Sequence, residues 1–175
     1  CDKELEIHIE YQGTAAVEYL EIYRGTEVDK CIYLNQQVDS GNRIKIIWSG
    51  AERRGRDRQT VWDGEIFVSG NSIHHIIPVN FWNADKQPQL KGQQLVTWES
   101  ITTGGLSGVI IELDDEKQGT IEIKTKQAEY ACSVSDINII PKHIDLGGLG
   151  KQLSLNRLPN SGLTSRNIDL NIKLE

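Results

Sequence analysis

At 175 residues the chain is long enough for one domain with a real core, or at most two small ones. Its net charge of −6 argues against a general surface for nucleic acid or anionic membranes, and no apolar run reaches the ~18 residues of a membrane span. Hydrophobic residues make up 38%, and sixteen glycines point to many turns.

Residues 5–11, Leu-Glu-Ile-His-Ile-Glu-Tyr, alternate apolar and polar, which is the pattern of a half-buried strand. Residues 17–23 read as the next strand, with a turn at Arg24-Gly25-Thr26, and 31–34 as a short one. A turn cluster at 39–42 precedes the strand of Ile44, Ile46 and Trp48, and 61–68 reads as a further strand. Pro78 marks 73–81 as an edge or bent strand, because proline cannot donate to a ladder. Residues 83–92 form a polar loop, and 95–101 a strand carrying Trp98. The strands at 109–113 and 120–125 flank a hairpin signal at 114–119. Strands at 130–134, 137–140, 152–158 and 168–174 complete the set, and glycine-rich 146–150 reads as a crossing between sheets.

About a dozen short strands with frequent turns and no amphipathic helix give the expected fold: an all-β, mostly antiparallel, jelly-roll-like β-sandwich. A single domain over 1–175 is expected. Without an initial methionine it reads as a piece of a longer protein, and Leu174-Glu175 reads as a tag remnant outside the fold. Cys1 is read as a boundary of that piece, the alternative being a lipid-modified end of an exported protein. Both cytoplasmic and exported settings stay open.

The densest charge lies at 52–58, where four of the eight arginines fall within 53–58. If that stretch is extended, Arg54, Arg56 and Arg58 share one face, since strand side chains alternate. The arginines then form either an anion-holding ridge or a ladder paired with neighbouring acids. We expect the ladder, with at least two of the three held by carboxylates or carbonyls. Among the tryptophans, Trp48 and Trp98 sit in alternating strands and read as core. Trp62, which shares the arginines' parity, and Trp82, which opens the polar loop, are the candidates for ligand binding, with carbohydrate as the expected class.

Other chemistries find little footing. His8, His74, His75 and His143 have no HxH or HxxxH spacing, and Cys1, Cys31 and Cys132 form no CxxC, so no metal ligand is assigned. Asp114, Asp115 and Glu116 lack the spacing of a calcium loop. No G-x-S-x-G elbow is present and no catalytic residue is assigned. Cys31 and Cys132 read either as a pair or as two buried thiols in neighbouring strands.

The ordered series Trp48-Ser49-Gly50-Ala51, Arg54-Gly55-Arg56-Asp57-Arg58 and Trp62-Asp63-Gly64 resembles one family. It continues with Asn80-Phe81-Trp82-Asn83, then Trp98-Glu99-Ser100-Ile101-Thr102-Thr103-Gly104-Gly105 with Gly108, then Asp145-Leu146-Gly147-Gly148-Leu149 and Arg157-Leu158-Pro159. The resemblance, over about Glu18 to Leu158, is to the C-terminal β domain of microbial proteins with an N-terminal PHP-type (polymerase and histidinol phosphatase) metal-dependent hydrolase domain. The His-x-His and further ligands of that hydrolase domain have no counterpart here. The resemblance therefore implies a non-catalytic accessory domain whose partner is the parent's catalytic domain. Any divalent metal would be held there, and this chain would carry no cofactor. The alternative is an independent module for carbohydrate or another small ligand.

Overall fold

A computed structural model describes residues 3–34, 40–56, 58–160 and 165–174. Among them the chain forms sixteen strands and two one-turn 3-10 helices, so the expected all-β sandwich is the observed class. Two compact units are present: residues 1–39 with 161–175, and residues 40–160. The sandwich occupies the second unit.

In the first unit, β1 (Lys3–Gln12) and β16 (Ser165–Leu174) form a long antiparallel ribbon, with His8 opposite Asp169. Separately, β2 (Tyr19–Arg24) and β3 (Glu27–Tyr33) form a hairpin. Its turn is made by Gly25, whose φ of 65° lies in the left-handed region.

The second unit is built from β4 (Ser40–Ala51), β5 (Thr60–Val61), β6 (Gly64–Ser69), β7 (Ile73–Val79), β8 (Gln89–Lys91) and β9 (Leu95–Trp98). It continues with β10 (Ile101–Thr102), β11 (Leu106–Leu113), β12 (Thr120–Thr125), β13 (Glu129–Ser133), β14 (Lys142–Asp145) and β15 (Leu149–Pro159). One five-stranded sheet has the order β14-β15-β4-β11-β7, the other β13-β12-β6-β9-β8, and β5 pairs with β10. Strand alternation explains the layers. Ile44, Ile46 and Trp48 of β4, and Val109, Ile111 and Leu113 of β11, turn inward from the first sheet. They join Ile66 and Val68 of β6, Val96 and Trp98 of β9, and Ile121 and Ile123 of β12 in one core. Pro78 does lie on an edge strand, β7.

Several boundaries differ from the sequence reading. Residues 53–56 and 58 are not in a strand but lie exposed between β4 and β5. No apolar residue there needs a sheet to cover it. The run 61–68 is broken at Trp62 and Asp63, because Trp62 N–H leaves the ladder and donates to Ser100 O (2.7 Å). Residues 137–140 are irregular, and the edge strand is β14 instead, since Ile137 O and Asn138 O are taken by Arg157. The 114–119 segment is no hairpin: β11 and β12 belong to different sheets. Conversely, glycine-rich 146–150 closes a hairpin within one sheet, β14 to β15. The polar loop 83–92 contains a 3-10 turn, Ala84–Lys86, and β8.

Candidate functional site

Three of the four tryptophans meet in one buried assembly within the sandwich. Trp48 and Trp98 stack with ring centroids 4.5 Å apart and planes 10° apart. Their indole N–H groups, and that of Trp62, each need a partner once desolvated. Trp48 Nε1 donates to Ser100 Oγ (2.9 Å), Trp62 Nε1 to Thr102 Oγ1 (2.8 Å) and Trp98 Nε1 to Trp62 O (2.7 Å). Thr102 Oγ1 passes its own proton to Gly50 O (2.7 Å). A Cβ on Gly50 would lie 2.1 Å from Gly150 O, so this position admits only glycine without backbone movement. Asp63 Oδ1 accepts Ser100 N–H (3.1 Å), and its Oδ2 accepts from Lys126 Nζ (2.8 Å).

Trp62, expected as a ligand platform, is fully buried, because its indole fills the core and its N–H is already satisfied. Trp48 and Trp98 are core as expected. Trp82 is 90% exposed, as its position at the mouth of the polar loop suggested.

Arg54, Arg56 and Arg58 are exposed on the β4–β5 loop. The loop bends at Gly55 (φ 107°), so the strand parity that was to align them does not apply. Among the described residues none of the three has an ion-pair partner, which corrects the expected ladder. The carboxylate of Glu52 in the same loop is engaged instead by the buried Lys151, which also donates to Gln127 Oε1 (3.4 Å).

Two buried cations went unnoticed in the sequence, Lys151 and Arg157 of β15. Arg157 is 3% exposed. It donates through Nε to Ile137 O (3.0 Å), through Nη1 to Gly41 O (2.7 Å) and through Nη2 to Val134 O (2.6 Å). Burial pushes its pKa down, against a smaller opposing effect of Glu116. Their only signal was two cations inside the otherwise apolar alternation of β15.

A cavity of about 280 Å³ opens beside β13 and β14, lined in part by Tyr130, Cys132, Asp136, Ile140 and Lys142. Burial pushes the Cys132 thiol up, and the hydrogen bond to Tyr130 raises Lys142. A second cleft, of about 600 Å³, is lined by Asp85, Gln87, Gln89, Lys91, Thr97 and Glu99, among others. Cys31, on β3, is exposed and Cys132, on β13, is half-buried, so the reading of two buried thiols does not hold. Cys1 lies outside the described residues. Among the described residues, no three His, Cys, Asp or Glu side chains are grouped to hold a metal ion, and no helix is long and apolar enough to cross a membrane.

Compared with family models, curated proteins and solved structures, the chain gives no match.

Proposed function

We propose that this chain is a non-catalytic all-β accessory domain of a PHP-type metal-dependent hydrolase, packing on the catalytic domain and guiding substrate to it. The observation that carries this reading is the place of the motif residues through which the chain resembles that family. Trp48, Gly50, Trp62, Asp63, Trp98, Ser100 and Thr102 are used up by one another, in stacking and internal hydrogen bonds. Such residues build a scaffold and leave no reactive atom facing a substrate. The arginine loop, by contrast, is turned to solvent, where it meets an acidic surface of the catalytic domain or a passing anion. Divalent metal chemistry would belong to that catalytic domain.

The test is the complete reading frame, followed by biochemistry. An upstream domain with clustered histidines, which co-purifies with this chain when the two are expressed separately, supports the reading. A reading frame without such a domain, or two halves that do not associate, overturns it.

A further inference from the structure

We propose that Trp82 and the cleft walled in part by the turn that follows it form a binding site for neutral pyranose carbohydrate. This goes beyond the accessory role and does not depend on it.

The turn carrying Trp82 is built to hold an indole in water. Asn80 sits at φ 57°, the only non-glycine residue at positive φ among those described. It is held there by Nδ2 donating to Leu106 O (3.2 Å) and by Ser107 Oγ donating to its carbonyl (3.5 Å). Asparagine tolerates this region better than most residues, but its use away from glycine marks a backbone fixed by its surroundings. Phe81 packs against the core, edge-on to Trp48 at 6.1 Å and 82°. Asn83 Oδ1 accepts Asp85 N–H (2.9 Å), and Gln87 Nε2 donates to both Phe81 O (3.1 Å) and Asn83 O (2.7 Å). The residues on both sides of Trp82 are thus tied down, while its ring forgoes the roughly 150–250 Å² of burial open to an aromatic side chain.

The same turn supplies a wall of the 600 Å³ cleft, through Asp85 and Gln87. That volume falls within the ~300–1,000 Å³ of small-ligand sites. Gln89, Lys91, Thr97 and Glu99 also line it, with Lys86 pairing Glu99 at 3.5 Å. A pyranose has an apolar C–H face, which fits an indole, and a rim of hydroxyls that both donate and accept. Carboxylates, amides and ammonium groups side by side answer that rim. A protein hot spot would instead be ringed by surface that excludes water, whereas every residue lining this cleft except Trp98 carries a polar or charged group.

The experiment is native electrophoresis of the 175-residue chain through gels containing soluble cellulose derivative, xylan, galactomannan or starch. Titration with the matching hexasaccharides follows, read by tryptophan emission. Retardation by at least one polysaccharide is expected, with a blue shift, because Trp82 is the exposed indole while Trp48, Trp62 and Trp98 are buried. Trp82→Ala should weaken binding about ten-fold or more, the scale on which removing an aromatic platform weakens a stacked ring elsewhere. Trp82→Tyr should retain part of it, and Glu99→Gln should weaken it less than Trp82→Ala. The melting temperature of Trp82→Ala should match that of the wild type, so a loss of binding cannot be a loss of fold. No retardation in any of these gels, or equal retardation of wild type and Trp82→Ala, would overturn the proposal.

Discussion

Trp48, on β4 of one sheet, stacks on Trp98, on β9 of the other, so the two halves of the sandwich meet ring to ring. Neither ring has room to relax if the other is removed, since Ile46, Val96 and Leu153 are packed into the same core. Trp98→Ala should therefore destabilise the sandwich by about 3–5 kcal/mol, the range for buried aromatic truncations. Trp98→Phe should cost less, because it keeps most of the stack and loses mainly the hydrogen bond to Trp62 O. Urea unfolding of the variants measures both. A Trp98→Ala cost below about 1 kcal/mol would be that of an exposed site and would contradict the packing.

Thr102 is predicted to matter through its hydroxyl more than its volume. It accepts from Trp62 Nε1 and donates to Gly50 O, and its residue is 4% exposed. Thr102→Val keeps the shape but leaves a buried N–H and a buried C=O unpaired, at about 1–3 kcal/mol for each orphaned group. Thr102→Ser should lose much less. Equal denaturation midpoints for the two variants would show that the hydroxyl relay is not what holds this end of the core.

Arg157 fixes the β4 entry and the turn after β13 to one side chain. Its fork reaches three carbonyls at once, and no acid is among its hydrogen-bond partners in the described residues. Replacing it by methionine takes a donor from all three acceptors, of which Val134 O keeps only the longer bond from Ile137 N–H (3.3 Å), and a loss of roughly 3 kcal/mol or more is expected. Arg157→Lys keeps the charge but not the planar fork, so it should fall between wild type and Arg157→Met. Unfolding midpoints at unchanged denaturant slope give the ranking. A lysine variant as stable as wild type would rule out the fork geometry as the cause.

Much of the sandwich was legible because burial on one face forces a period of two. Ile44, Ile46 and Trp48, or Ile121 and Ile123, announce their strands without help. What was not legible has physical reasons. The residues 52–59 are all polar or glycine, so nothing in them selects strand over loop, and an assumed parity aligned Arg54, Arg56 and Arg58 that the fold does not align. Trp62 interrupts its strand to satisfy a distant backbone partner, Ser100 O, a constraint no local pattern carries. The turn residues at 114–119 specify a reversal but not which sheet edge receives the next strand. Trp82 was legible because a proline-bearing edge strand and a polar loop left it nothing to be buried under.

His8 and Asp169 face each other across the β1–β16 ribbon at 2.5 Å, Nδ1 to Oδ1. The hydrogen bond and the charge of Asp169 hold the imidazole above its ordinary 6.5. A raised pKa means the folded ribbon favours the imidazolium. The pair's contribution is fully present below pH 6.5, while Asp169 remains ionised, and is lost as pH rises through the elevated value. Proton NMR should show His8 titrating above 6.5 in wild type and back near 6.5 in Asp169→Asn. Ribbon amides, corrected for intrinsic exchange, should be better protected at about pH 6 than at about pH 8. Both ends of the pair are exposed, so added salt should shrink the difference. A His8 titration indifferent to Asp169→Asn would exclude the pair.

The last prediction concerns the arginine loop and separates folding from docking. Arg54, Arg56 and Arg58 are exposed and make no ion pair among the described residues, and Glu52 beside them is already held by Lys151. Removing their charges takes nothing from the core, so the triple variant Arg54→Ala, Arg56→Ala, Arg58→Ala should unfold within about 0.5 kcal/mol of wild type. If the loop is the face offered to an acidic catalytic domain, association with that domain should weaken in the triple variant. It should weaken further when the three are changed to Glu, and in both wild type and variants it should fall with salt, most steeply in wild type. Denaturation of the isolated chain and a titration calorimetry series at several ionic strengths provide the two readouts. A large loss of stability would mean that the arginines are structural after all. Unchanged association with unchanged stability would remove the loop from the interface and leave the scaffold to dock by another face.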